Sequence, residues 1–126
     1  MRTPLALLLL LVATAGAVAA PQPIQVRAEI DVLMTGLQAS GCEFSRNGSW
    51  YPAPEAKAHL LKKLDYLQGR TTIASTEQFI ELAASKSSMS GRPYLVRCAD
   101  SAPVESRVWL MQRLKSLRAP NASSPK

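Results

Sequence analysis

The chain contains one histidine, His59, and Glu55 stands four residues before it. On a helix that spacing puts both side chains on one face, where a carboxylate can orient an imidazole. A hydroxyl brought to the other ring nitrogen would complete a hydrolytic triad, and Ser87, Ser88 and Ser90 offer hydroxyls. Neither a G-x-S-x-G elbow nor an S-x-x-K nucleophile motif occurs within the domain, so the residue types for hydrolysis stand without the motif that makes a serine reactive. A second constellation suits binding: Arg46, Asn47, Lys86, Arg92 and Tyr94, with the hydroxyls of Ser87 to Ser90, supply guanidinium, ammonium and neutral donors suited to a carboxylate or a phosphate. The two overlap in a candidate ligand-binding cluster of Arg46, Asn47, Glu55, His59, Ser88, Ser90 and Tyr94, with no residue given a catalytic role. The plainer alternative is that Glu55 and His59 tie the serine-rich loop and the Asn47-Gly48 turn to the helix.

These residues need elements to bring them together. Ile30, Leu33, Met34 and Leu37 recur at i, i+3, i+4 and i+7, one stripe of an amphipathic helix that Ser40-Gly41 stops. Cys42 to Arg46 then alternates as a short strand, Asn47-Gly48 makes a tight turn, and Pro52-Ala53-Pro54 leads into a second helix with Leu60, Leu61, Leu64 and Leu67 as its buried stripe. Glu55 falls at the positive end of that helix, Lys62 and Lys63 toward the negative end, and Gly69 terminates it. Ser75 and Gln78 form a capping box for a third helix carrying Phe79, Ile80, Leu82 and Ala83. The loop from Ser85 to Gly91 leads through Pro93 into a second alternating strand, Tyr94 to Cys98. A last helix over about Val104 to Leu117 has Val108, Leu110, Met111, Leu114 and Leu117 for its apolar side. The expected fold is α+β, about four helices packed on a two-stranded antiparallel ribbon. There is no repeat, no heptad pattern and no phosphate-cradling glycine motif, and no cofactor is implied.

With 126 residues and 47% hydrophobic content the chain is one domain at most, and two cysteines are too few for a dense disulfide scaffold. Arg2 followed by Leu5 to Val12 and then small residues reads as a secretory signal peptide, its apolar run shorter than the ~20 residues that span hydrocarbon. Ala17-Val18-Ala19 places cleavage after Ala19, giving a leader at 1–19, a single domain at 20–118 and a disordered Ser/Pro-rich tail at 119–126. Removing the leader removes Arg2 and leaves 14 basic against 9 acidic residues. That charge is dispersed along the chain, which argues against a nucleic-acid partner and leaves an envelope ligand or protein as the expected one; the mature chain is expected to lack a transmembrane segment and to be a monomer.

Export to an oxidising compartment makes Cys42 and Cys98 a disulfide pair rather than two reactive thiols. No C-x-x-C spacing or nearby histidine offers a metal site, and none is expected. Placing Cys42 opposite Cys98 in an antiparallel ribbon sets Phe44 opposite Val96 and Arg46 opposite Tyr94, with Cys42, Phe44, Val96 and Cys98 on one face. The ribbon end bearing Arg46 and Asn47 then meets the loop bearing Ser88, Ser90 and Tyr94, and the helix bearing His59 starts a few residues after the turn.

Four segments in this order, Phe44-Ser45-Arg46-Asn47-Gly48, Glu55-Ala56-x-x-His59-Leu60, Thr76-Glu77-x-Phe79-Ile80 and Lys86-Ser87-Ser88-x-Ser90-Gly91-x-Pro93-Tyr94, resemble the YfeK-like family of small exported bacterial proteins. The resemblance covers about Ile30 to Leu114. It implies a periplasmic protein of a Gram-negative cell and lends no catalytic roles, since the family carries no established activity. The cysteine pair is not part of the resemblance and rests on compartment and register.

Overall fold

The computed structural model describes residues 24–120. The expected leader, its cleavage site and all but the first two residues of the expected tail lie outside them. Among the described residues the elements are α1 (Ile24–Ala39), β1 (Glu43–Arg46), β2 (Ser49–Pro52), α2 (Ala53–Gln68), α3 (Thr76–Ala83), β3 (Leu95–Arg97), β4 (Val104–Glu105) and α4 (Ser106–Arg118).

α1 buries the expected stripe, Ile30, Leu33, Met34 and Leu37. It ends where Ser40 Oγ donates to the Leu37 carbonyl at 2.6 Å and Gly41 takes a φ of +71°, a conformation that costs glycine nothing. α2 begins with Pro54 in its first turn, where its lack of an N–H leaves no bond unmade, and buries Ala53, Ala56, Leu60 and Leu64. The small alanines let it lie close to the layer beneath. In α3 the Gln78 N–H donates to Ser75 Oγ at 3.1 Å, as the capping box requires, while the Gln78 side chain reaches one residue further back than expected and accepts from the Ala74 N–H at 2.7 Å. Arg118 near the end of α4 pairs with Glu29 of α1 and Glu77 of α3, both at 2.7 Å, and Thr76 donates to Glu29 at 2.5 Å, so three helices are tied at one end.

The sheet corrects the expectation of a two-stranded ribbon. It has four antiparallel strands in the order β2-β1-β3-β4. Asn47 and Gly48 have φ of 51° and 83°, the two positive values of a type I′ turn, and with Arg46 opposite Ser49 the chain makes a two-residue hairpin. Trp50-Tyr51 is therefore a strand rather than a connection to the second helix. At the other edge Val104-Glu105 pairs with β3, and the last helix starts at Ser106. The inner register is as expected, with Phe44 opposite Val96, and Cys42 and Cys98 continue it as a disulfide with Cα atoms 4.3 Å apart.

One face of the sheet joins the core through Phe44, Tyr94 and Val96, which pack with the buried residues of all four described helices. Phe44 and Arg46 are two residues apart on one strand, so Arg46 also points to the helix-covered face, at its rim. Glu43, Trp50 and Arg97 occupy the other face, where Arg97 bonds Glu43 and lies 4.0 Å over the Trp50 ring. Three expected core residues are instead open to solvent: Leu82 at 45%, Val108 at 39% and Leu117 at 50% exposure. In α3 the buried face is Thr76, Phe79, Ile80 and Ala83, and Leu82 falls outside that arc; in α4 the buried line is Ser106, Leu110 and Leu114, every fourth residue. The serine in that line is fixed at both ends, because buried Ser106 Oγ donates to the Ala84 carbonyl and its N–H donates to the Tyr94 carbonyl at 2.8 Å.

Candidate functional site: a basic corner around His59

Three elements converge at the rim of the covered face. Arg46 ends β1, His59 sits in the second turn of α2, and Tyr94 immediately precedes β3. The Tyr94 ring is buried against Phe44, with centroids 5.0 Å apart, so its phenol is aimed outward toward α2. Arg46 Nη1 lies 2.8 Å from His59 Nδ1, and His59 Nε2 lies 3.2 Å from Tyr94 Oη. Arginine has no acceptor, so it must donate; Nδ1 therefore carries a lone pair and Nε2 carries the proton, which is donated to Tyr94. Lys63 Nζ donates to the same phenol oxygen at 3.1 Å and to the Lys86 carbonyl at 3.0 Å.

The electrostatics agree with a neutral ring. Burial, then the charges of Arg46, Lys63 and Lys62, push His59 down to about 4, so the ring is neutral at pH 7. Burial and then Arg46 also lower Lys63 from its ordinary value, while burial raises the Tyr94 phenol against the opposing pull of Arg46. Arg27, Arg97, Arg107 and Arg118 each have a carboxylate partner, but among the described residues Arg46, Lys62 and Lys63 have none within ion-pair distance.

A second cluster adjoins the first. Asn47 Nδ2 donates to Ser87 Oγ at 3.4 Å, and Ser90 Oγ donates to Asn47 Oδ1 at 2.6 Å. Ser87 Oγ also accepts from the N–H groups of Met89 and Ser90, both at 3.3 Å, and Ser90 Oγ accepts from the Arg92 N–H at 3.2 Å. The Asn-Gly hairpin is thus latched to the serine loop by its own asparagine.

Of the residues singled out in the sequence, Arg46, His59 and Tyr94 share one hydrogen-bonded chain, and Asn47 and Ser90 share the latch beside it. Ser88 lines a groove with His59, Lys62, Lys63, Tyr66, Leu67 and Leu82. Glu55 lines a small cavity of about 120 Å³ with Arg46, Tyr51 and His59, but it makes no hydrogen bond to the imidazole. Ser87, Ser88 and Ser90 make none either, and the Nδ1 lone pair that a general base would use is already taken by Arg46, so the parts of a triad are near one another without being connected. Lys63 was missed by sequence reasoning as a site residue, although its position four residues after His59 puts it on the same helix face. No group of three His, Cys, Asp or Glu side chains among the described residues is placed to hold a metal ion. No helix of the described residues is long and apolar enough to cross a membrane.

Comparison with known proteins places this geometry in a lineage without an assigned activity. The uncharacterized protein YfeK of Salmonella typhimurium (strain LT2) is 40% identical over 68 residues, a match that covers 53% of this chain and 55% of that protein. The chain thus spans about half the length of the curated relative it matches. No solved structure matches the chain. A family model, described as a family of unknown function (DUF5329), matches residues 24–118, which include every element from α1 to α4 and all of the residues that form the basic corner. The chain belongs to that family of unknown function, DUF5329.

Proposed function

We propose that this protein is exported to the cell envelope and there binds an anionic group, a phosphate or a carboxylate, at the corner formed by Arg46, His59, Lys63 and Tyr94, without catalysing a reaction. The observation that carries the reading is the gathering of Arg46, Lys62 and Lys63 around a neutral imidazole with no carboxylate partner at ion-pair distance. Like charges held together at a half-buried site repel one another, and an anion seated among them relieves that repulsion. Arg46 keeps unused guanidinium donors and Lys63 keeps a third ammonium hydrogen after the bonds described above, so donors remain for an incoming oxygen. Export is supported by the leader-like composition of residues 1–19 and by a Cys42–Cys98 disulfide, a bond that persists in oxidising compartments. The phosphate of a nucleic acid is not the anion favoured, because the basic residues outside the corner are dispersed along the chain.

Titration of the protein with inorganic phosphate and with acetate at pH 7, followed by amide and imidazole NMR shifts, tests the reading. Saturable shifts should centre on Arg46, His59 and Lys63. Arg46→Ala should weaken binding by about 10- to 100-fold, the range for a hydrogen bond to a charged group, with a much smaller effect on the melting temperature. Absence of saturable shifts with either anion, or an Arg46→Ala variant that loses stability and keeps its affinity, sinks it.

A further inference from the structure

The groove beside the corner has two unlike ends. On α2, His59, Lys62, Lys63, Tyr66 and Leu67 fall at i, i+3, i+4, i+7 and i+8 and form one stripe, which faces Leu82 of α3 and Ser88 of the serine loop. The groove is open to solvent and has a volume of about 470 Å³, in the range of small-molecule sites. The half nearest the corner is basic. The half formed by Tyr66, Leu67 and Leu82 is apolar, with Tyr66 at 62% and Leu82 at 45% exposure. No carboxylate lines the groove: Glu81, the neighbour of Leu82, is ion-paired with Arg107, and Asp65 faces Arg27 of α1. At the far end the Arg70 guanidinium lies 4.3 Å over the Tyr66 ring.

Resting on the anion-binding reading above, we propose that the anion is the head group of a single-chain amphiphile, whose phosphate or carboxylate sits at Lys63, beside Lys62 and His59, while its hydrocarbon tail lies along Tyr66, Leu67 and Leu82. Charge complementarity selects this occupant. An uncharged apolar ligand leaves the ammonium groups of Lys62 and Lys63 unanswered, and a small inorganic anion leaves the apolar half exposed to water. Lys62 and Lys63 line the same groove as Tyr66, Leu67 and Leu82, and the stripe from His59 to Tyr66 runs about 10 Å along the helix, so a short chain reaches from one half to the other.

The test uses the full protein at pH 7 and three probes, each below its aggregation concentration: octyl phosphate, inorganic phosphate and octyl glucoside. Octyl phosphate should bind about 50-fold more tightly than inorganic phosphate, the equivalent of about three buried methylenes, with shifts spreading to Tyr66, Leu67 and Leu82. Leu82→Ser, at a position 45% exposed and outside the buried core, should cut that affinity ratio about tenfold. Met89→Ser, at a residue 98% exposed and outside the groove, should leave the ratio unchanged. Equal affinity for phosphate and octyl phosphate overturns the amphiphile and leaves anion binding standing. Octyl glucoside binding as tightly as octyl phosphate, with phosphate silent, overturns both. In a separate sedimentation assay with phosphatidylglycerol vesicles, binding to the vesicles without binding of monomeric octyl phosphate makes the face a membrane-docking surface and overturns this proposal.

Discussion

Acidification probes the basic corner most directly, because His59 must gain a proton where three cations already sit. Its folded value is pushed down to about 4, below the ordinary 6.5. The sign follows from linkage: between those two values the unfolded chain binds the proton and the folded chain does not, so this residue's contribution to stability is complete above pH 6.5 and is lost as pH falls toward 4. A shift of that size sets an upper bound of about 3 kcal/mol. Water reaches much of the ring and screens the neighbouring charges, so about 1 to 2 kcal/mol is the expected loss. Protonation also removes the Nδ1 lone pair that accepts from Arg46, so the bond between β1 and α2 opens at the same pH. The assay is urea denaturation of the protein and of His59→Gln at a series of pH values from 7 to 4. Glutamine offers both an acceptor for Arg46 and a donor for Tyr94 but does not titrate, and the carboxylates common to both proteins cancel in the difference. The wild type should lose about 1 to 2 kcal/mol relative to the variant over this range. A constant difference across pH, or an imidazole that titrates near 6.5 by NMR, would refute the placement of His59 among these charges. A bound anion should raise the imidazole midpoint, which links this measurement to the ligand titrations.

Three further outcomes are expected. Replacing Cys42 and Cys98 together by alanine should cost roughly 4 kcal/mol on the chain-entropy account of a long closed loop, and alkylation of the native protein without reductant should label no thiol; two labelled cysteines in mass spectrometry contradict the pairing. Ser106→Ala removes the donor to the buried Ala84 carbonyl and should lower stability by about 1 to 3 kcal/mol, read as a lower denaturation midpoint; an unchanged midpoint shows that water replaces the hydroxyl. N-terminal sequencing of protein recovered from the envelope fraction should begin at Ala20, and a chain beginning at Met1 contradicts cleavage after Ala19.

Much of the framework is legible in local sequence. The α1 stripe, the Ser75 cap and the start of α2 at its prolines follow from spacing and from which residues satisfy helix ends, and these depend on neighbours within one or two turns. The inner register of the sheet was also readable, because alternation fixes which side chains share a face and one cysteine pair then fixes the offset. The same hairpin dipeptide that marked a turn at Asn47-Gly48 carried the signal for a third strand. The signal is weak because Ser49 to Pro52 is short and ends in a proline, with Pro54 following two residues on.

The candidate site divides along the same line. That Arg46, His59 and Tyr94 meet is implied by strand parity and by a helix that begins soon after the hairpin. Which imidazole nitrogen carries the proton depends on where the Arg46 side chain lands, and how strongly the ring resists a second one depends first on its burial and then on the charges of Arg46 and Lys63; helix spacing points to Lys63, but no local pattern contains the burial. Leu82 gives the same lesson from the apolar side. By type it reads as core, and its exposure is set by α3 turning Phe79, Ile80 and Ala83 inward, so that Leu82 becomes a wall of the groove. The sequence by itself determined where the first three helices lie, which face of the two inner strands is buried and which cysteines pair, since these are decided by backbone periodicity and covalent geometry, while the two edge strands emerge only in the assembled sheet. The charge left unpaired at the corner, and the groove that continues it, were decided by tertiary structure alone, because both are properties of the gaps between elements brought together from distant parts of the chain.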